Sequence, residues 1–504
     1  MQPHGCHGRK IVKSSTTERR AHHQVTLCVL AAGVGTYALL QSLVTPVLPT
    51  IQVALHTSQT DVTWVLTAYL LSASIFTPIM GRLGDMTGKK RMFVIALVAL
   101  AIGCLLSAVA TNLTVMIIGR VIQGVGGGVL PLAFGIIRDE LPQDKVPSAV
   151  GTIAGLSAVG AGIGIVLAGP IVTAFGYHWL FWWPLILLVI SALAAHFLVP
   201  ESPQRSAGSI NWLTALLLSG WLVALLLGVS EAPTWGWASA KVLALLAVAV
   251  VLAVVWVVAE SRAEHPLIDM KMMRVRAVWA TNLVALLSGA AFYAAFAFLP
   301  QMFQTPSSAG YGFGASITQS GLMLLPQTVA VFVLGVVAGR MALRFGSKNL
   351  VIVGSVIGAV GYFLVAVAHD REWGIYLITL VVGVGFGMAF AAMSNLIVAA
   401  VPAHQTGVAS GMNANIRTIG GSLGGAVMAS IVTAGAAPSG LPKESGYTNG
   451  FLMLAGALLL SAVVALFIPR VRRDPRTHAE PEVELRHTES VLVPGGTLVG
   501  DESE

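Results

Sequence analysis

Charged side chains are the scarcest feature of this sequence. Only 10% of its 504 residues are Asp, Glu, Lys or Arg, where soluble domains carry about a quarter. A water-soluble chain of this length needs charge over its outside, so the shortage excludes most soluble folds. Cysteine is almost missing too. Cys28 and Cys104 lie in apolar runs, Cys6 stands near the start and no CxxC pair occurs, which excludes a disulfide framework and a thiolate metal centre. The tract His4 to His7 reads as a polar chain end, with a small metal site as the other reading. Enzyme motifs are absent as well. There is no HExxH, the one GxSxG match, Gly420 to Gly424, lies inside a helical run and not after a strand, and Asp85 to Lys90 has neither the GxxxxGK[ST] spacing nor a preceding strand, so neither hydrolysis nor ATP-driven chemistry is indicated and no cofactor is expected.

What is present is apolar. Hydrophobic residues make up 56% of the chain, with 54 glycines. A membrane helix needs roughly 20 apolar residues to cross about 30 Å of hydrocarbon, and runs of that kind fill Val25 to Ile468. They number fourteen, with span 2 at about 62 to 81, span 4 at about 112 to 137 and span 14 at about 449 to 468. The fold class is therefore an all-α membrane protein. The net charge of +7 would suit a nucleic-acid partner in a soluble chain, but here the basic residues flank apolar runs, so orientation in the bilayer explains them and no nucleic acid is expected. With both termini in the cytoplasm, 24 of the 29 Lys and Arg face inward, leaving Lys241, Arg371 and Lys443 in outer loops and Arg120 and Arg417 within spans. That bias sets the topology expected for a cell-membrane protein.

An internal repeat emerges when the cytoplasmic turns are compared. Gly81-RLGDMTGKK and Gly339-RMALRFGSK share Gly-Arg, a further Gly and a closing Lys at an offset of 258 residues. Gly151, Gly155, Gly164 and Gly169 of span 5 recur as Gly407, Gly411, Gly420 and Gly425 of span 13 at an offset of 256. Spans 1 to 6 thus match spans 9 to 14, and spans 7 and 8 are inserted between them. The expected organisation is a cytoplasmic segment at 1–24, a six-helix bundle at 25–200, two inserted helices with linkers at 201–276, a second bundle at 277–469 and a disordered cytoplasmic tail at 470–504. Two like bundles around a central site is the plan of a carrier that opens alternately to each side.

These residues resemble the major facilitator superfamily, and within it the fourteen-span drug:proton antiporters. The closest likeness is Gly81-RLGDMTGKKR between spans 2 and 3. Gly81, Gly84 and Gly88 suit a tight turn, and Arg82, Lys89, Lys90 and Arg91 suit the anionic inner leaflet. The resemblance implies that Asp85 and these basic residues latch a cytoplasmic gate, with Gly339, Arg340, Arg344, Gly346 and Lys348 as the counterpart. A plain topogenic turn is the other reading. In span 4, Arg120 interrupts an apolar stretch, where a charge must face a cavity or a partner, or else bond to helix carbonyls or snorkel. The family links such an Arg to proton movement. Beside it, Gln123 and Gly124 to Gly128 suit close helix packing.

Two departures stand out. Span 5 keeps glycines at Gly160, Gly164 and Gly169 but has Ile165 where the family has a proline, with its own Gly169-Pro170 following. Span 1 has Leu40 and Gln41 where relatives carry an acidic residue, and every carboxylate from Asp61 to Glu444 falls at a span end or in a loop. Asp61 at the start of span 2 reads as a helix cap or as a coupling group. Polar residues inside spans outline a central cavity at Gln41, Gln123, Asn282, Gln327, Asn395, Asn413, Asn415 and Arg417, each of which could equally bond a neighbouring helix. A cavity holding Arg417 and no carboxylate favours a neutral or anionic substrate. The expected protein is a monomeric secondary transporter in the lipid bilayer that exports a small organic molecule or drug against inward proton flow. A proton-independent carrier or an importer of a metabolite is the alternative.

Overall fold

The computed structural model describes residues 8–469 other than 58, 63, 202–210, 265 and 435–441, and the backbone alone for residues 8–22, 49, 59, 60 and 317. The tract His4 to His7, Arg205 and the tail 470–504 lie outside the described residues. Regular structure within them is helical throughout, and fourteen helices are long and apolar enough to cross a membrane. In hydrocarbon a helix pairs every backbone N–H and C=O within its own segment, which an open strand cannot do.

The first six are α1 (Gly8–Leu43), α2 (Trp64–Thr87), α3 (Lys89–Ala108), α4 (Leu113–Glu140), α5 (Val146–Phe175) and α6 (Trp179–Leu198). The inserted pair is α7 (Trp212–Trp235) and α8 (Ala240–Arg262). The last six are α9 (Arg276–Gln304), α10 (Ile317–Phe345), α11 (Ser347–Val367), α12 (Glu372–Ala400), α13 (Thr406–Thr433) and α14 (Glu444–Ala465). Three boundaries differ from expectation. Helix α1 is already wound at Gly8, ahead of its apolar stretch, while α2 runs on to Thr87 and α14 starts at Glu444. Within α4 the glycines at 126–128 tighten the winding to a 3-10 stretch over Val125–Gly128, because Leu100, Thr77 and Met80 press where their side chains would be.

Three apolar clusters hold these helices. Phe93, Leu100 and Phe181 belong to one shared by α1 to α6, and Phe303, Phe386 and Phe451 to another shared by α9 to α14. The third joins Leu218, Leu222 and Trp256 of the inserted pair to Ile79 of α2 and to Val408 and Met412 of α13. The inserted pair therefore covers the seam where α2 meets α13. Its connecting loop is fastened to the same helix, since Trp237 Nε1 donates to Ser430 Oγ of α13 at 2.7 Å. Away from the bundles, Val250, Val251 and Val254 of α8 are exposed, as a lipid-facing surface requires.

Glycine sets how closely α5 and α13 approach their neighbours. On α5, Gly151 and Gly155 meet Gly335 and Phe332 of α10, whereas Gly160 and Gly164 meet Gly35, Leu39 and Ser42 of α1. The nine-residue step from Gly151 to Gly160 turns the helix by about 180°, so the two stripes lie on opposite faces. Helix α13 repeats the scheme, with Gly407 and Gly411 against α2 and Gly420 against α9. Gly169 and Pro170 depart from the expected packing role: the nearest atom to a Cβ at Gly169 would be Thr318 Oγ1 at 3.1 Å, and both residues line an open cleft with Thr173 and Ser316. Helix α5 continues through Pro170 to Phe175.

The α13 glycines supply an internal test. A Cβ at Gly420 would stand 2.0 Å from the carbonyl oxygen of Leu286, whereas nothing lies within 4 Å of one at Gly425. Gly420→Ala should lower the melting temperature in detergent through an overpacking cost of about 1–3 kcal/mol. Gly425→Ala should leave it unchanged or raise it, because alanine favours a helix by up to about 1 kcal/mol. Equal melting of the two variants would refute the crossing.

Candidate functional site

The two bundles meet at the end of the molecule that carries Arg82, Lys89, Lys90 and Arg91, hereafter the basic face. Gly88 alone makes the turn there, with φ +122°, a conformation that costs glycine little and other residues much. A Cβ at that position would also lie 2.6 Å from Glu201 Oε1. The Glu201 carboxylate accepts from the backbone N–H of Lys90 at 3.1 Å and of Arg91 at 3.2 Å, capping α3. Gly81 and Gly84 do not bend the chain as the sequence suggested, because α2 is helical through both. They admit neighbours instead. A Cβ at Gly81 would sit 2.6 Å from the carbonyl oxygen of Gly407 on α13, and one at Gly84 would strike Leu132 of α4.

At that crossing Asp85 reaches the other bundle. Its carboxylate accepts from the N–H of Gly407 at 3.2 Å and of Val408 at 3.0 Å. The first N–H groups of a helix have no partner within it, and a negative charge there meets the positive end of the helix dipole. Lys89 lies 3.8 Å from Asp85 and 2.5 Å from Asp139 of α4, and donates to the carbonyl of Ala403 at 3.2 Å. Arg138 donates to the carbonyl of Val398 and, at 2.8 Å, to Thr406 Oγ1. Asp85, Lys89 and Asp139 are sealed from solvent, Arg82 is buried, Lys90 is half-buried and Arg91 is exposed.

The second copy keeps the shape and basic residues without the carboxylate. Gly346 turns the chain with φ +81°, and a Cβ at Gly339 would lie 2.3 Å from the Cα of Ser148 on α5. Arg340 and Arg344 are exposed, with the Arg344 guanidinium 5.3 Å over the Phe345 ring, and Lys348 donates to Leu466 of its own bundle at 2.6 Å. The position that corresponds to Asp85 is Leu343.

Gln123 does not line an opening between the bundles, contrary to expectation, and Arg120 beside it is bonded to a helix carbonyl and to Gln123. Arg120 is fully buried; its Nε donates to the Val65 carbonyl at 2.9 Å and its Nη1 to Gln123 Oε1 at 2.6 Å, with Tyr69 stacked at 4.4 Å. Gln123 is fixed in turn by Ser107 Oγ at 3.2 Å. Helices α2 and α3 wall the pair in.

Arg417 and Asn413 lie on the face of α13 that looks toward α4. Arg417 is half-buried about 16 Å along the helix from Thr406, and its guanidinium lies 5.1 Å over the Phe390 ring. Asn413 donates to Asn282 Oδ1 at 2.9 Å. With Ser394 and Ser410 they border a void of about 10 Å³ against Pro131 and Phe134 of α4, room for one water at most. Gln41 is half-buried on α1, apart from this group in the sequence. Asp61 is exposed in a separate short helix, Gln59–Val62, ahead of α2 and outside the membrane interior.

The chain matches the Major Facilitator Superfamily over residues 30–425. It belongs to that family. The chain is therefore a multi-pass membrane transporter that carries a small-molecule substrate, not an enzyme. Among its relatives are the tetracenomycin C resistance and export protein of Streptomyces glaucescens, 29% identical over 80% of this chain and 74% of that one. A multidrug resistance protein B homolog of Mycobacterium tuberculosis is 28% identical over 83% and 85%. A uridine/deoxyuridine transporter of Lactococcus lactis is 26% identical over 92% and 98%. A crystal structure of the human organic anion transporter MFSD10 (TETRAN) shares the fold, with a TM-score of 0.65 over 88% of this chain and 99% of that one at 16% identity.

Sequence reasoning passed over Arg138, Asp139, Glu201 and Thr406 because each looks like an ordinary helix-end residue. Their partners lie up to 268 residues away along the chain, so the sequence carries no local signal of the pairing. Asp85→Asn should loosen the basic face of this transporter. It keeps one acceptor but loses the charge opposite the α13 dipole and Lys89, a difference of about 2 kcal/mol, or roughly 30-fold in the ratio of closed to open. Ser410 lies behind the tie, and labelling of Ser410→Cys by an impermeant maleimide should accelerate accordingly in the Asp85→Asn background. An unchanged rate would show that the carboxylate holds nothing shut.

Proposed function

We propose that this family member exports small organic molecules or drugs across the cell membrane by alternating access, in exchange for protons, with the basic face and both termini in the cytoplasm. One observation carries the reading: Asp85, Lys89 and Arg138 of one bundle close the basic face by bonds to the backbone and Thr406 of the other. A closure made of hydrogen bonds between two bundles can be broken and remade, which a rocking carrier requires. The bundles at 25–200 and 277–469 move against each other in this reading, with the pair at 201–276 lying over their seam, and the chain works as a monomer. The Gly81 and Gly339 motifs act as the cytoplasmic gate, and Arg120 with Gln123 acts in coupling rather than in the cavity. The export and resistance proteins among the relatives support outward transport of drug-like compounds.

A second reading, uptake of a metabolite, has its support in the uridine/deoxyuridine transporter, which aligns over nearly the whole of both chains. The sign of an imposed pH gradient separates the two. Proteoliposomes with an acid interior should accumulate an exported substrate, tested with ethidium, fluorescein and uridine, and nigericin should abolish the effect. Accumulation with an acid exterior would establish symport, and indifference to the gradient would remove proton coupling. Arg120→Ala should slow gradient-driven accumulation at least about tenfold, a loss of about 1.4 kcal/mol in the barrier. Asp61→Asn, outside the membrane interior, should leave the rate within about twofold.

A further inference from the structure

Arg417 stands near the middle of the membrane with hydrogen-bonding capacity that the protein leaves unused. Its Nε is buried and has no partner among the described residues. Every described carboxylate in a membrane helix lies within five residues of a helix end, so none is placed to neutralise a guanidinium about 16 Å from the start of α13. Arg120, the other intramembrane arginine, also has one buried nitrogen, Nη2, without a hydrogen-bond partner among the described residues, but its Nε and Nη1 are bonded to Val65 and Gln123 and it is fully enclosed, out of reach of a ligand. A guanidinium at that depth with an unmet donor is costly unless an acceptor arrives from outside the protein.

The surroundings specify what that acceptor is attached to. Arg417 lies over Phe390, whose ring meets Phe292 edge-on at 5.1 Å. Tyr37 of α1 is within electrostatic reach of Tyr69, Tyr293 and Arg417. The Tyr293 ring packs where a side chain at Gly421 would be, one turn beyond Arg417, and 36% of the residue is accessible. Aromatic side chains from both bundles thus lie around one positive charge. Such faces favour a flat ring system, the guanidinium fork matches an oxyanion in two hydrogen bonds, and phenolic hydroxyls add donors. A cation would find repulsion and no counter-charge.

We propose that Arg417, Tyr37, Tyr293 and Phe390 form the substrate site and that it takes planar aromatic acids, compounds whose flat rings carry a carboxylate or an ionised phenol. This rests on the export reading above and adds the class of molecule and its anchor. The depth of Arg417 suits the task. Tyr293 packs one turn farther along α13, at Gly421, and Ser410 and Asn413 lie between Arg417 and the closed basic face, so one guanidinium can hold the acid from either direction as the bundles rock. Binding also cancels the arginine's charge, so closing over a loaded site buries a neutral pair and closing over an empty one buries a bare cation.

The test uses the purified full-length protein with fluorescein as the planar acid and ethidium as the planar cation, both followed by fluorescence polarisation. Fluorescein should bind and ethidium should not compete, while acetate, an acid without a ring, should fail to displace fluorescein. Arg417→Gln should weaken fluorescein binding at least about tenfold, Arg417→Lys should restore part of that loss, and Tyr293→Ala should weaken it separately. Thermal unfolding checks that each variant is folded; if Arg417→Gln is not, the ligand comparison on the wild type and Tyr293→Ala decide alone. Equal binding of ethidium and fluorescein, or fluorescein binding indifferent to Arg417→Gln, would overturn the assignment. Fluorescein that binds through Arg417 but is not moved by an acid-inside gradient would count against the export reading and leave the site standing.

Discussion

The Asp85 carboxylate bonds to the N–H groups of Gly407 and Val408, and it can do so only because residues 81 and 407 are both glycine. A side chain at either one would strike backbone of the facing helix at 2.6 to 2.7 Å, and the crossing would open before the carboxylate reached its donors. Close approach of α2 and α13 is what brings Thr406, Val398 and Ala403 within range of Arg138 and Lys89. Closure of the basic face, the sealed void behind it and the enclosure of Arg417 from that side all descend from this one contact between backbones.

The charges at the tie are arranged so that it can be undone. Asp85, Lys89, Arg138 and Asp139 all belong to the first bundle, two acids with two bases, and their partners on the second bundle are N–H groups, carbonyls and one hydroxyl. Separation of the bundles leaves Lys89 paired with Asp85 and Asp139 and exchanges neutral partners for water. A salt bridge divided between the bundles would instead leave an uncompensated charge on each surface, at a cost of about 3–5 kcal/mol if either remained buried. The alternating-access cycle proposed above is better served by the arrangement seen.

Much of the fold was legible because hydrocarbon imposes a simple rule. Fourteen apolar runs became fourteen helices, and the offsets of 258 and 256 residues between the halves reappear as matching contacts of Gly151 with α10 and Gly407 with α2. The site was legible in part. Asp85 was singled out by the likeness of its turn to the family and Arg417 because charge within a span is rare, but Gly81 and Gly84 were misassigned to the turn, since a glycine that bends a chain and one that admits a neighbour look alike in sequence. Gln123 was placed in the cavity for the same kind of reason: polarity within a span marks a partner, and only the packing of Tyr69 and Ser107 tells that the partner is Arg120 and that both are walled in. The helix-end residues Arg138, Asp139 and Glu201 act on distant segments, and no periodicity or spacing predicts such pairs.

The two halves repeat in shape but not in the bonds that close them. The α5–α10 seam has glycine against backbone from Gly339 on Ser148 to Gly335 on Gly155, and Gly162 against the Thr328 side chain beyond, and Leu343 stands where a second carboxylate would be. Contact of that kind answers to shape alone. The α2–α13 seam has its close glycine contacts at the basic end, at Gly81 with Gly407 and Thr77 with Gly411, and adds the Asp85 tie and the cover of α7 and α8. A change in charge or hydration therefore acts on one seam and leaves the other as packed as before. The divergence of a single position between the copies, aspartate at 85 and leucine at 343, gives a pseudo-symmetric molecule a charged tie at one seam and none at the corresponding position of the other.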